Sequence, residues 1–367
     1  MYIKKLKILV VDDTIVYRKA VSDILSELPG IEVVGVAHNG KIAMSKIKTL
    51  KPDLLTLDIE MPEMNGIEVL EQLPTTSPNT HAIMISTLTT EGGDMTMKAL
   101  ELGAFDFILK PNATNAEDSK KQLRTLLIPL IKAFRTSHIN LLKKSTASKL
   151  RSIPTSKLQT TQPGKPSYPK NKIARSKSEI VTIGISTGGP NALAKMLPKL
   201  PGNLGVPIVI VQHMPPIFTQ SLANSLNQKC ALDVKEAKHG EPILNNTVYI
   251  APGGKQMKLM ASADGKNRLI KITNDPPVNS CKPSADYLFH SVADYYVGRA
   301  TAVIMTGMGS DGTSGLEHLK QKGAFIVAQD EKSCIVFGMP KAPIERGLTD
   351  SIVSLNDIAA EIIKSVT

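Results

Sequence analysis

The chain has 367 residues, enough for two domains that each bury a core, and its 42% hydrophobic share is that of an ordinary globular protein. Three widely spaced cysteines, Cys230, Cys281 and Cys334, give no disulfide framework and no C-x-x-C zinc site, and read as buried free thiols. The net charge of +11 suggests nucleic acid until it is located: twelve Lys or Arg and no Asp or Glu lie between Ile131 and Ser178, leaving 32 basic and 33 acidic residues elsewhere. That Ser/Thr/Pro/Lys-rich segment offers only Phe134 and Tyr168 for stacking, so it reads as a solvated linker, and no nucleic-acid partner is expected. The N-terminal apolar run, Ile8 to Val11, is too short for a secretion signal or a membrane span, which points to a cytoplasmic protein with no direct membrane insertion.

From the N-terminus, strand candidates 8–11, 31–37, 54–57, 82–85 and 105–109 alternate with amphipathic stretches at 16–28, 41–50, 67–73, 94–102 and 116 to about 134. Five βα units predict a doubly wound parallel sheet, whose ligand site lies beyond the carboxyl ends of the strands. Asp12 and Asp13 follow the first strand, Asp58 ends the third, Ser86 the fourth, and Lys110 the fifth. Three converging carboxylates require a compensating cation, and oxygen-only donors suit Mg²⁺. A lysine and a hydroxyl at the same edge could hold a transferred phosphoryl group.

After the linker the alternation resumes. Strands are predicted at 180–185, 207–212, 247–251, 269–273, 302–306 and 325–328, with helices at 191–199, 218–227, 285–297, 314–322 and 355–366. The glycine-rich turn V-T-I-G-I-S-T-G-G-P, residues 181–190, could cradle a phosphate or project a nucleophile. A P-loop needs Gly-Lys-Ser/Thr, and no lysine follows these glycines; a dinucleotide fold wants an acid ending the second strand, and His213 stands there. Gly184-Ile185-Ser186-Thr187-Gly188 instead fits the G-x-S-x-G elbow, with His213 after the next strand and Asp311 after the strand 302–306. A serine hydroxyl needs an imidazole base, and the imidazole needs a carboxylate to hold its tautomer. The order Ser, His, Asp differs from that of ordinary α/β-hydrolases and predicts convergent geometry on another fold.

The motifs V-V-D-D, L-D-I-E-M-P-E-M-N-G, M-I-S-T-L and I-L-K-P resemble the receiver domain of two-component response regulators. That resemblance implies Asp58 as phospho-acceptor, Asp12, Asp13 and Asp58 as Mg²⁺ ligands, and Ser86 and Lys110 as phosphate sensors. Asn65 stands where many relatives carry Asp, and Phe107 occupies a switch-aromatic position. The segments I-G-I-S-T-G-G-P, Q-H-M-P-P-I-F-T, V-Y-I-A-P-G-G, C-K-P-S-A-D-Y-L-F-H-S-V-A, T-G-M-G-S-D-G and F-G-M-P-K-A resemble receiver-coupled protein-glutamate methylesterases of bacterial chemotaxis. Ile185, Gly254 and Gln256 depart from the usual pattern.

Together these readings divide the chain into a receiver (1–128), a basic flexible linker (129–177) and a Rossmann-like methylesterase domain (178–367). The expected activity is hydrolysis of glutamate γ-methyl esters on methyl-accepting chemotaxis receptors, and deamidation of receptor glutamine, by Ser186, His213 and Asp311. Backbone N–H groups near Thr187 and Met308 are the expected oxyanion donors. No cofactor is expected for the ester chemistry, and a chemotaxis histidine kinase is the expected phosphodonor. Two rival classes are a phosphorylation-dependent binding protein with a vestigial site and a regulator whose basic linker touches nucleic acid; within the esterase reading, a receiver that merely tethers the enzyme near its receptors is the alternative to one that gates it.

Overall fold

The computed structural model describes residues 5–111, 115–148 and 176–367. The first sheet has the order β2-β1-β3-β4-β5, all parallel, from β1 (Leu6–Val11), β2 (Ile31–Ala37), β3 (Leu54–Asp58), β4 (His81–Ser86) and β5 (Asp106–Leu109). Helices α1 (Ile15–Ser26), α2 (Gly40–Leu50), α3 (Gly66–Thr76), α4 (Thr90–Glu101) and α5 (Ala116–Ser148) connect and cover it. Strand β3 is buried throughout and β1 and β4 nearly so, which is why they read as near-continuous apolar runs rather than alternating ones. Asn65 caps α3: its side chain accepts from Glu68 N–H (3.0 Å) while Glu68 accepts from Asn65 N–H (2.7 Å).

The second sheet has seven parallel strands in the order β14-β13-β12-β6-β7-β9-β8. Its strands are β6 (Ile180–Ile185), β7 (Ile208–Gln212), β8 (Asp233–Glu236), β9 (Thr247–Ile250), β12 (Ala300–Ile304), β13 (Phe325–Gln329) and β14 (Ser351–Val353). Helices α6 (Gly189–Met196), α7 (Phe218–Asn227), α8 (Ala285–Tyr295), α9 (Thr313–Gln321), α10 (Lys341–Glu345) and α11 (Ile358–Val366) surround it. The strand expected at 269–273 is not in this sheet: β11 (Arg268–Thr273) pairs antiparallel with β10 (Gln256–Ala261) in a separate hairpin.

The boundary expected at residue 129 is corrected. Helix α5 runs on to Ser148, so the first 20 residues assigned to the linker are helical. The reason lies in its apolar stripe: Leu123, Leu127, Leu130, Ile131 and Phe134 are buried on the receiver core at helical spacing, which outweighs the charges between them. The remainder of the expected linker up to 175 lies outside the described residues.

The two sheets are not independent bodies. One buried apolar cluster runs from the receiver core through Met97, Leu100 and Ala104 to Phe218, Leu222 and Leu226 of the second domain. Helix α4 packs on α7 and α6. Phe107 stacks on Phe218 at 4.7 Å between ring centroids, and Glu101 accepts from Ser225 Oγ (2.6 Å) and pairs with Lys229. No helix among the described residues is long and apolar enough to cross a membrane.

Candidate active site

At the carboxyl edge of the first sheet, Asp12, Asp13 and Asp58 bring ligand oxygens within 4.8 Å of one another. Lys110 Nζ lies 2.5 Å from Asp58 Oδ2 and 3.1 Å from Asp12 Oδ2. Burial pushes the Asp58 carboxyl up to about 7, against the pull of Lys110. A crowded, all-oxygen donor set with one carboxylate disfavoured as an anion fits a Mg²⁺ ion.

Ser86 sits at the end of β4 as expected, but its hydroxyl faces α4: it accepts from Thr96 Oγ1 (2.9 Å) and donates to Gly92 O (3.3 Å). It makes no hydrogen bond to Asp58 or Lys110 among the described residues. Ser86 is thereby linked to the helix that packs on the second domain.

In the second sheet, β12, β6 and β7 are adjacent. Ser186 follows β6, His213 follows β7, and Asp311 lies in the loop between β12 and α9, so three separate motifs converge on one edge. The elbow demands its glycines. Gly188 has φ +75° with the Ile335 side chain 2.7 Å from any added Cβ, and a Cβ on Gly307 would stand 2.7 Å from Ser186 Cβ.

His213 Nε2 donates to Asp311 Oδ2 at 2.8 Å. Asp311 accepts further bonds from Ala285 N–H (2.6 Å), Ser284 Oγ (2.7 Å) and Asn279 Nδ2 (3.0 Å), which place it at the positive N-terminus of α8. Burial alone would raise its carboxyl, but His213 and these donors hold it down at about 2. Burial likewise works against the imidazolium, and the bonds to Asp311 and Cys281 outweigh it, raising His213 to about 9. With Nε2 committed to Asp311, the proton-accepting atom is Nδ1, which faces Cys281 Sγ at 3.8 Å. Ser186 Oγ makes no hydrogen bond to His213 among the described residues.

The N–H of Ser186 donates to Thr306 O (3.0 Å), which removes it as an oxyanion donor. Thr187 is buried beside the serine, and Met308 packs its side chain against the receiver core. A cavity of about 320 Å³ separates the domains, with Ser186, Thr187 and His213 on one wall and Asp106, Phe107 and Leu126 on the other.

Asp106 and Cys281 are the residues that sequence reasoning missed. Burial raises the Asp106 carboxyl to about 7, opposed by hydrogen bonds from Phe107 N–H, Gly188 N–H and the Thr187 side chain. A receiver carboxyl therefore sits on the elbow's own donors. No local motif could signal this, because its partners lie in the other domain. Gln256, one of the unusual positions, is a buried strut: its amide donates to Cys281 O (3.2 Å) and accepts from Ser284 N–H (2.9 Å).

A phosphorylatable receiver docked over a Rossmann-like domain, with Ser, His and Asp at adjacent strand ends, defines a receiver-coupled serine hydrolase. Residues 8–119 match the family model of the response regulator receiver domain and residues 181–362 that of CheB methylesterase. The chain belongs to the CheB methylesterase family. It is 59% identical to the protein-glutamate methylesterase/protein-glutamine glutaminase of Desulfotalea psychrophila over 99% of each chain, and 44% identical to that of Bacillus subtilis over 98% of each. Among solved structures, the Thermotoga maritima CheB methylesterase catalytic domain aligns with a TM-score of 0.50 and 41% identity, covering 52% of this chain and 99% of that one.

Proposed function

We propose that this chain is a protein-glutamate methylesterase and protein-glutamine glutaminase that acts on chemotaxis receptors under control of receiver phosphorylation. The observation that carries the reading is the His213–Asp311 pair, locked beside Ser186 on a cavity that the receiver walls off. Ser186 Oγ attacks the γ-carbonyl of the substrate glutamyl ester, and its proton passes to His213 Nδ1. Asp311, already ionised and held by backbone and side-chain donors, stabilises the imidazolium. The imidazolium then protonates the departing methoxide oxygen, or the amide nitrogen of a glutamine, so that methanol or ammonia leaves. Water, deprotonated by the same nitrogen, releases the acyl group as glutamate. Thr187 N–H and Met308 N–H are our candidates for the oxyanion site; losing one such donor typically costs about 3 kcal/mol of transition-state stabilisation.

In the receiver, Asp58 is the proposed phospho-acceptor and a chemotaxis histidine kinase the phosphodonor. Asp12, Asp13 and Asp58 would hold Mg²⁺, which supplies charge neutralisation at the acceptor carboxylate. Lys110 supports the transferred phosphoryl group. Its arrival draws Ser86 away from Thr96 and Gly92, which loosens α4 and, through it, the Glu101, Phe107 and Asp106 contacts over the elbow. This is a shift of a two-state interface, and the continuous apolar packing between domains favours it over simple tethering. The site of action is the receptor array at the inner face of the membrane.

The test is labelled-methanol release from methylated receptor membranes. Ser186→Ala abolishes it under this reading, and a variant that keeps the wild-type rate removes Ser186 as the nucleophile.

A further inference from the structure

The triad's base has a second neighbour that ester hydrolysis does not use. Cys281 Sγ stands 3.8 Å from His213 Nδ1, the nitrogen left free once Nε2 is bound to Asp311. Thiol, imidazole and carboxylate in this sequence form a nucleophile, base and orienting acid in their own right. The position is built rather than incidental. Cys281 closes a tight turn with Val278 through reciprocal backbone bonds of 2.8 and 3.1 Å, and the central residues Asn279 and Ser280 are left-handed at φ 51° and 62°. Asn279 Nδ2 donates to both Asp311 Oδ1 (3.0 Å) and Asp286 Oδ2 (2.6 Å), so the turn that carries the thiol is anchored to the triad's acid. Gln256 holds the Cys281 carbonyl from the other side.

We propose that Cys281 is a reactive thiol seated on the esterase's own base, a modification site for hydroperoxides and alkylating electrophiles whose occupancy takes His213 away from Ser186. The inference rests on the reading of His213 as the base. The Cys281 proton passes to Nδ1, leaving a thiolate beside an imidazolium that Asp311 stabilises. With hydrogen peroxide the thiolate attacks one oxygen, an S–O bond forms and the O–O bond breaks. The imidazolium proton leaves with the departing hydroxide as water. Sulfur is oxidised by two electrons to a sulfenic acid, and the peroxide is reduced. With iodoacetamide an S–C bond forms and iodide leaves. Either adduct sits against Nδ1, where the Ser186 proton must go.

The other two thiols provide internal controls. Burial pushes Cys230 up to about 11 and Cys334 up to about 12, and no imidazole among the described residues bears on either.

The experiment is limited iodoacetamide labelling of the full-length protein at pH 7.5, read cysteine by cysteine by peptide mass spectrometry, with methanol release followed in parallel. Cys281 is expected to label at least about tenfold faster than Cys230 and Cys334, and His213→Gln to slow it by about tenfold. Unchanged rates at Cys230 and Cys334 report that the variant is folded. Methanol release is expected to fall in step with Cys281 labelling, and hydrogen peroxide to give a dimedone-trapped sulfenic acid at Cys281. Whatever activity Cys281→Ser retains is expected to be insensitive to both reagents. Labelling of Cys281 no faster than the other two, or unaffected by His213→Gln, overturns the proposal. Labelling needs no ester turnover, so a Ser186→Ala chain that still released methanol would remove the proposed nucleophile while leaving the Cys281 result standing.

Discussion

The two sites of this molecule solve the problem of a buried carboxylate in opposite ways. Asp58 in the receiver is buried among acids, with one lysine for relief, and its carboxyl rises to about 7. Asp311 in the esterase is as deeply placed but collects an imidazole, an amide, a hydroxyl and the amino end of α8, and it falls to about 2. The first carboxylate is left short of partners, which suits a group that must accept a cation and a phosphoryl group. The second is saturated, which suits a group that must never move or change charge. Incompleteness fits the proposed switch, and completeness the proposed catalytic acid.

The largest effects are expected where the saturated site is broken. Ser186→Ala should lower methanol release by about 10⁴-fold or more, and Asp311→Asn by about 10⁴-fold through the wrong imidazole tautomer. A loss of less than tenfold from Asp311→Asn would mean that the His213–Asp311 bond is structural.

The pH profile comes next. His213 must be neutral to act as base, so with its pKa near 9 the unphosphorylated chain should gain about tenfold in kcat/KM per pH unit from 7 towards 9. Stability runs the other way: the imidazolium contributes fully below pH 6.5, and that contribution is lost as pH rises through about 9. A flat profile between pH 7 and 9 would contradict the strength of the pair. Asp106→Ala should raise basal methanol release by roughly three- to tenfold by freeing the elbow's donors, a shift of about 1 kcal/mol in the interface equilibrium. Basal release at the wild-type rate would show that Asp106 does not hold the cover.

The smallest effect belongs to the incomplete site. The Asp58 carboxyl ionises with more difficulty in the folded chain than in the unfolded one, so stability falls as pH rises from about 4 to about 7. Asp58→Asn removes that charge, and at pH 8 it should raise the receiver's melting temperature by about 4 °C, with Mg²⁺ narrowing the gap. Equal melting temperatures at pH 8 without Mg²⁺ would mean that burial does not strain Asp58.

The same contrast explains what was legible in the sequence. Strand ends were readable because parallel sheets write their strands as apolar runs and place chemistry just beyond them. Asp12, Asp58, Lys110, Ser186, His213 and Asp311 all stand where that rule puts them. The stripe of helix α5 from Leu123 to Phe134 was legible, but the run on to Ser148 was not, because the residues beyond Phe134 continue into a basic, Ser/Thr-rich composition that reads as linker. Ser86 was placed correctly, but its orientation towards Thr96 depends on packing against α4. Asp106 and Cys281 were invisible for a simpler reason. Each gains its meaning from a partner far along the chain, Thr187 and His213 respectively, and no spacing rule connects them.

The most direct test of the account is methanol release from methylated receptor membranes by wild type and Asp58→Asn, with and without acetyl phosphate and Mg²⁺. The expected result is a slow basal rate in both, with acceleration by the phosphodonor in wild type alone. Equal acceleration of both chains, or none in a wild type shown to be phosphorylated on Asp58, would contradict a receiver that covers a complete triad and is moved off it by phosphorylation.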